Sequence, residues 1–238
     1  MKLISVNVSL PRDVPYRGGT IRTGIFKQPV DGRVMVRRLN IDGDGQGDLK
    51  VHGGRDMAVY AYPVEHYAFW EKQLGRHAFP CGQFGENLTV QGFMEGDTRV
   101  GDTVQVGGAL LQVTQPRIPC FKLALRLETG TDFLKRFLDS GRAGYYLRVI
   151  QEGEIGAGDA IERLDSDERS ATIEEFLQTY IHGKEDAARL RRVLSSRDLG
   201  AGWRDHFTQE LQRAENHLQS SGATAPPAPG GSRRTPPG

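Results

Sequence analysis

What most constrains this chain is how soon each of its apolar runs ends. Up to about residue 164 the β-like stretches are short, and turns rich in glycine close them. Lys2 to Leu10 alternates apolar and polar residues and reads as a first strand. Val34 to Ile41, Met57 to Tyr62, Asn87 to Gln91, Asp97 to Val106, Ala109 to Thr114, Tyr145 to Ile150 and Ala160 to Leu164 read as further strands. Tyr16 to Gly24 and Gly43 to Gly54 read as polar glycine loops. Glycine precedes aspartate at Gly101-Asp102 and Gly158-Asp159, which is turn chemistry: glycine accepts positive φ and aspartate bonds nearby backbone amides. Helices interrupt this pattern in two places only, after Pro63 with Tyr67, Trp70 and Leu74 on one stripe and Gly75 at its end, and from Thr131 to Leu138 with Gly141 as its stop. Long helices do not alternate with the strands, so parallel βαβ layering is a poor fit. The expected fold is mainly β, a β-barrel or closed twisted sheet with a few helices.

The pattern changes at Asp165 to Arg169, a charged linker. Thr172-Ile173-Glu174-Glu175 is a capping box, and Phe176, Leu177, Tyr180 and Ile181 give the helix behind it an apolar face. Gly183 breaks that helix, Glu185 to Leu194 forms a second, and Trp203, Phe207, Leu211 and Leu218 stripe a third. Three helices in roughly 50 residues make too small a core to stand alone, so they are expected to dock on the β domain or on another copy in a homodimer. From Ser220 onward Ala, Pro, Gly and Ser dominate, the composition of a disordered tail. The division is therefore a β domain at 1–165, a three-helix module at 166–219 and a tail at 220–238.

Net charge removes whole classes of partner. With 31 basic against 30 acidic residues the formal charge is +1, so no global field attracts nucleic acid or a membrane, and an anionic ligand needs a local cluster. Two cysteines are no disulfide framework, and their scarcity suits a reducing cytoplasm. Met1 leads into the first strand with no signal-peptide pattern, and no apolar run is long enough to span a bilayer. The expected location is cytoplasmic.

Chemistry concentrates around Gln115-Pro116-Arg117-Ile118-Pro119-Cys120-Phe121-Lys122. The two prolines stiffen this loop at the end of a strand, and Arg117 and Lys122 favour the thiolate of Cys120, the form that ligates metals or attacks. The same cysteine also reads as a small buried hydrophobe, as most lone cysteines are. Asp42 to Asp48 looks like a calcium loop until its twelfth place, which is Gly53 where glutamate is needed. Its glycines alternate and open no helix, so it is neither a dinucleotide fingerprint nor a P-loop. Successive amides with Lys50, His52 and Arg55 suit a phosphate cradle, and the same residues suit a solvated hairpin loop. In Phe84-Gly85-Glu86-Asn87-Leu88, Asn87 suits either a heterocycle edge or a turn bonded to its own backbone. Arg148 points away from Leu147 and Val149, toward solvent or a lined interior. Cys81 has no cation closer than His77, and the six histidines show no zinc spacing.

Taken in order, Gly43-Asp44-Gly45-Gln46, Lys50-Val51-His52-Gly53-Gly54, Phe84-Gly85-Glu86-Asn87-Leu88, the Gln115 to Lys122 block and Phe137 to Val149 resemble a MOSC domain, the domain shared with the C-terminal part of molybdenum cofactor sulfurases. The capped Thr172 start and its three helices resemble the module of the YiiM-like branch, which includes proteins conferring resistance to 6-hydroxylaminopurine. The resemblance covers about residues 1–218. It implies a MOSC-type β-barrel and a molybdenum cofactor (molybdopterin) whose metal Cys120 ligates. It also implies a reductase of N-hydroxylated bases or amines, with His52 as a proton donor. Phosphate and pterin contacts fall to Lys50, His52, Arg55, Arg117, Lys122 and Arg148, and the ring edge to Asn87. A second histidine, frequent in relatives after Lys50, is missing here. With no flavin, haem or iron–sulfur motif in the chain, electrons would come from an external flavin- or haem-type reductase. Two other functions fit the same residues: sulfur transfer through a Cys120 persulfide, and a non-catalytic docking scaffold.

Overall fold

The computed structural model describes residues 1–48 and 53–222. The alternating first run forms β1 (Lys2–Val8), and two hairpin strands follow, β2 (Arg12–Tyr16) and β3 (Gly19–Thr23). This hairpin lies where a loop is expected: its alternation is hidden by exposure on both faces, with Thr23 the one buried residue of the pair. Next come β4 (Gln28–Pro29), β5 (Arg33–Val36), a 3₁₀ turn at Arg55–Met57 and β6 (Val59–Pro63). A second 3₁₀ turn, Val64–His66, leads into α1 (Tyr67–Leu74), which ends at Gly75 in the left-handed region at φ 62°. The strands β7 (Leu88–Gln91), β8 (Thr103–Val106) and β9 (Ala109–Pro116) precede two helices, α2 (Phe121–Arg126) and α3 (Asp132–Asp139). The β region closes with β10 (Tyr145–Gln151), β11 (Gly153–Gly156) and β12 (Ile161–Asp165), and α4 (Ile173–His182), α5 (Ala187–Leu194) and α6 (Ala201–Gly222) follow.

Eight strands form one sheet in the order β12-β8-β9-β10-β6-β7-β1-β4, in which β6 and β7 run parallel and the other neighbours antiparallel. The expected barrel does not close. Strand β4 is two residues long, and β1 shifts register between Leu3 and Ser5. Among the described residues the far end of the sheet meets β1 at the isolated bridge Lys2↔Ala160 and through two backbone bonds, Leu3 N–H to the Asp159 carbonyl at 2.9 Å and Gly158 N–H to the Leu3 carbonyl at 2.8 Å. The Gly-Asp turns behave as their chemistry dictates. Gly101 and Gly158 have φ of 94° and 97°, while Asp102 and Asp159 accept the Arg99 and Gly156 amides at 3.0 and 2.9 Å.

One face of the sheet and the helical module share a continuous core in which Leu111, Val113 and Leu147 meet Ile173, Phe176, Leu190, Val193 and Phe207. The module thus docks on its own chain. A second cluster, rich in aromatics, packs α1, α2 and α3 together through Tyr62, Trp70, Phe84, Phe133 and Phe137. Among the described residues no helix is long and apolar enough to cross a membrane.

Candidate functional site

The Cys120 loop is held from both sides. Arg117 N–H donates to the Gly144 carbonyl at 3.1 Å, and Cys120 is the N-cap of α2, its carbonyl accepting the Leu123 amide at 2.9 Å. Its half-buried thiol lines a cavity of about 100 Å³. Lining it with Cys120 are Arg117, Lys122, Tyr60 and Tyr146, together with Lys27, Asp44, Asn87 and Gly24, Gly45 and Gly47. Four of the residues expected at the site are therefore brought together: Cys120, Arg117, Lys122 and Asn87.

Arg117 is the most heavily constrained cation there. It is buried, its guanidinium carbon lies 5.0 Å from the Tyr60 ring centroid, and among the described residues its Nη1 has no hydrogen-bond partner. A buried unpartnered N–H costs about 1–3 kcal/mol, more when charged, unless something accepts from it. Burial would pull its proton off, but the nearby Tyr60, Tyr146 and Cys120 outweigh that and hold it charged. Burial raises the Tyr60 hydroxyl well above its usual range and raises that of Tyr146 as well, with Arg117 working against both, so both stay protonated at neutral pH.

One part of the wall escaped sequence reasoning. Lys27 and Asp44, both buried, form an ion pair within the cavity wall. Burial lowers the Lys27 pKa, with Asp44 and Glu86 pulling it back up. Asn87 anchors this pair: its amide donates to Asp44 Oδ2 at 2.9 Å and to the Asn7 carbonyl at 3.3 Å, while its oxygen accepts from the Tyr60 amide at 3.1 Å. Both amide hydrogens are thus engaged, so Asn87 lines the cavity but offers no free donor to a ring edge. The alternating glycines also acquire a reason. A Cβ on Gly24 would lie 2.3 Å from the Gly45 carbonyl oxygen and one on Gly47 2.3 Å from that of Arg22, so two backbones meet there at a distance only glycine allows. That approach buries Asp44. Spacing in the sequence gave no sign of it, because Lys27 and Asp44 sit in separate loops.

Behind Asn87, Glu86 is fully buried and accepts from the Gly82 and Phe84 amides at 2.8 and 2.9 Å, from Thr89 Oγ1 at 2.9 Å, and from the Tyr67 hydroxyl. Burial raises its carboxyl above the usual range, and those donors pull it down.

The other expected contacts fall elsewhere. Arg148 leaves the sheet toward the helical module, with Nε 3.1 Å from Asp56 and Nη2 donating to the Asp198 carbonyl at 3.1 Å. Arg55 lines the same neighbouring cleft. Neither lines the Cys120 cavity, though Gly53 borders both spaces. Lys50 and His52 lie outside the described residues. Cys81 sits half-buried in the turn before Glu86. No three His, Cys, Asp or Glu side chains stand together as a metal site among the described residues.

Residues 48–162 match the MOSC domain model. The chain is 38% identical over 211 residues to the uncharacterized protein YflK of Bacillus subtilis (strain 168), covering 89% of this chain and 95% of that one. A Gibberella moniliformis (strain M3125 / FGSC 7600) protein named "Reductase" is 36% identical over 151 residues, which are 62% of this chain and 27% of that longer protein. Among solved structures, YiiM from Geobacillus stearothermophilus superposes with a TM-score of 0.74 at 34% identity, over 88% of this chain and 98% of that one.

Proposed function

This chain belongs to the MOSC-domain family, in its YiiM-like branch, and on that premise we propose that it is a molybdenum-cofactor-dependent reductase of N-hydroxylated bases or amines. The family is one of reductase-type proteins associated with that cofactor. The observation that carries the finer reading is the thiol of Cys120 in a cavity wall it shares with Arg117 and Lys122.

The residues present fit the cofactor. A thiolate is a soft ligand, and Arg117 keeps a charged, buried N–H that has no acceptor among the described residues, as the site of an anionic pterin requires. Cys120 would hold the metal, with Arg117 and Lys122 holding the anionic groups beside it. When bound, such a cofactor supplies two-electron removal of oxygen from nitrogen. The overall change is R–NHOH + 2e⁻ + 2H⁺ → R–NH₂ + H₂O, the electrons arriving from a separate flavin- or haem-type reductase. The protein's own part is placement and protons. The Lys27–Asp44 pair braces the cavity wall, and Tyr146, its hydroxyl raised by burial, keeps its proton. His52 and Lys50 belong to the same proposal as proton donor and phosphate contact.

The test is metal content. Protein purified from cofactor-competent cells should carry molybdenum, and Cys120→Ala should lose at least about tenfold of it with its thermal midpoint within a few degrees of wild type. Equal metal in both forms would remove Cys120 as ligand. A Cys120 persulfide in the mass spectrum, without bound pterin, would instead favour sulfur transfer.

A further inference from the structure

Where α4 and α6 meet the sheet, a second cleft of about 530 Å³ opens between Tyr180, Trp203 and His206 on the helices and Asp56, Met57 and Gln115 on the β domain. The three rings pack on one another, Tyr180 to Trp203 at 5.3 Å and 90°, Trp203 to His206 at 5.7 Å and Tyr180 to His206 at 6.0 Å. Phe176 and Phe207 brace Trp203 at 5.0 and 5.7 Å, so its indole is fixed in place. On the other wall Asp56 gives one carboxylate oxygen to Arg148, while its Oδ2 and the Gln115 amide both face the space beside Gly200: a Cβ there would lie 3.2 and 3.9 Å from them. Met57 borders this cleft and the Cys120 cavity alike.

We propose that this cleft is a ring-binding subsite adjoining the Cys120 cavity, taking the flat nitrogen heterocycle of a substrate against Trp203, Tyr180 and His206, with ring N–H groups donating to Asp56 and Gln115. This deepens the reductase reading and rests on it for the word substrate. Half-buried aromatic walls bind a flat ring at small entropic cost, and convergent acceptors give it an orientation. An organic cation also suits aromatic faces beside a carboxylate. Here Arg148 already pairs with Asp56, and in the adjoining cleft Arg197 pairs with Asp198 while Arg55 adds a further positive charge, so the field beside the rings does not favour a cation. The helical module thereby acquires a task at the site: it selects substrates by ring shape.

Gly202 lines the cleft in the first turn of α6, where an added Cβ meets nothing within 4 Å. Gly202→Leu should therefore fill the subsite and leave or raise thermal stability, since leucine outranks glycine in helices. For a heteroaryl hydroxylamine its KM should rise about tenfold with kcat little changed, a loss of roughly 1.4 kcal/mol of ring binding. For N-methylhydroxylamine KM should not move. Equal changes for both substrates, or none for either, overturn the subsite. A second arm needs no turnover. Indole emission, corrected with Trp203→Phe for the other of the two tryptophans, should be quenched saturably by adenine in wild type and not in Gly202→Leu. No saturable quenching, or quenching by tetramethylammonium in place of adenine, also overturns it. A protein that binds adenine at Trp203 yet reduces neither compound supports the subsite and counts against the reductase reading.

Discussion

At the scale of single residues the site is a charge arrangement that tolerates little editing. Removing Asp44 leaves Lys27 buried with its partner gone, a change costing about 3–5 kcal/mol when an ion pair is broken from one side. Asp44→Ala should accordingly lower the urea midpoint by more than any surface aspartate, and an effect no larger than that of Asp13→Ala would mean the pair is solvated. Glu86 allows a sharper experiment, because the direction of its shift fixes a sign. Its carboxyl holds a proton more tightly folded than unfolded. Between the unfolded value and the higher folded one, the native state binds more protons, so stability falls as pH rises through that window and is fullest below it. Glu86→Gln does not titrate, and its stability should be flat across the same window. It should also be lower throughout, since Gly82, Thr89 and Tyr67 all donate to one oxygen and Phe84 to the other, and an NH₂ in the second place cannot accept from the Phe84 amide. Denaturant midpoints measured at steps from pH 4 upward decide it, and a decline of equal slope in both proteins would assign the effect to other groups.

At the scale of elements, helix α4 isolates a local cause from its tertiary consequence. The Thr172 side chain accepts from the Glu175 amide at 3.0 Å while the Glu175 carboxylate accepts from the Thr172 amide at 2.8 Å. Thr172→Ala should cost about 1 kcal/mol, a fall of roughly 2–4 °C in melting temperature for a chain of this size. Thr172→Ser should restore most of it, and a serine variant as unstable as alanine would put the loss in packing instead. That capping box was legible in the sequence because caps are written in consecutive residues. So were the Gly75 stop of α1 and the Gly-Asp turns, for the same reason. Helix α2 and strand β11 were not: α2 is six residues long and follows a proline loop, and β11 holds two glycines and gains its order by pairing with β5 across the chain. The site divides likewise. Cys120, Arg117 and Lys122 stand in one short block and were read together, whereas the Lys27–Asp44 pair and the cleft at Trp203 exist only after distant loops and helices have been folded against each other.

At the scale of the whole molecule, composition changes at residue 165 but packing does not. Backbone bonds stitch the helical segment to the β region beyond that point: Val100 N–H to the Ala171 carbonyl at 3.0 Å, Ile173 N–H to Thr98 at 2.8 Å and Glu174 N–H to Glu95 at 3.2 Å. Ile173, Phe176 and Phe207, each almost fully buried, lie in the same core as Leu111, Val113 and Leu147. Uncovering side chains of that size forfeits about 1.5–3 kcal/mol each, and several together exceed the 5–15 kcal/mol that holds a typical domain folded. A chain ending at Asp165 should therefore lack a cooperative melting transition, bind a hydrophobic dye and lose its near-ultraviolet aromatic signal. Supplying residues 166–222 as a separate polypeptide should restore the transition if the two parts associate through this core. A 1–165 fragment that melts cooperatively as a soluble monomer would mean that the β region is self-sufficient. The Trp203 cleft would then lie between two independently stable units, and its geometry would follow their docking instead of a shared core.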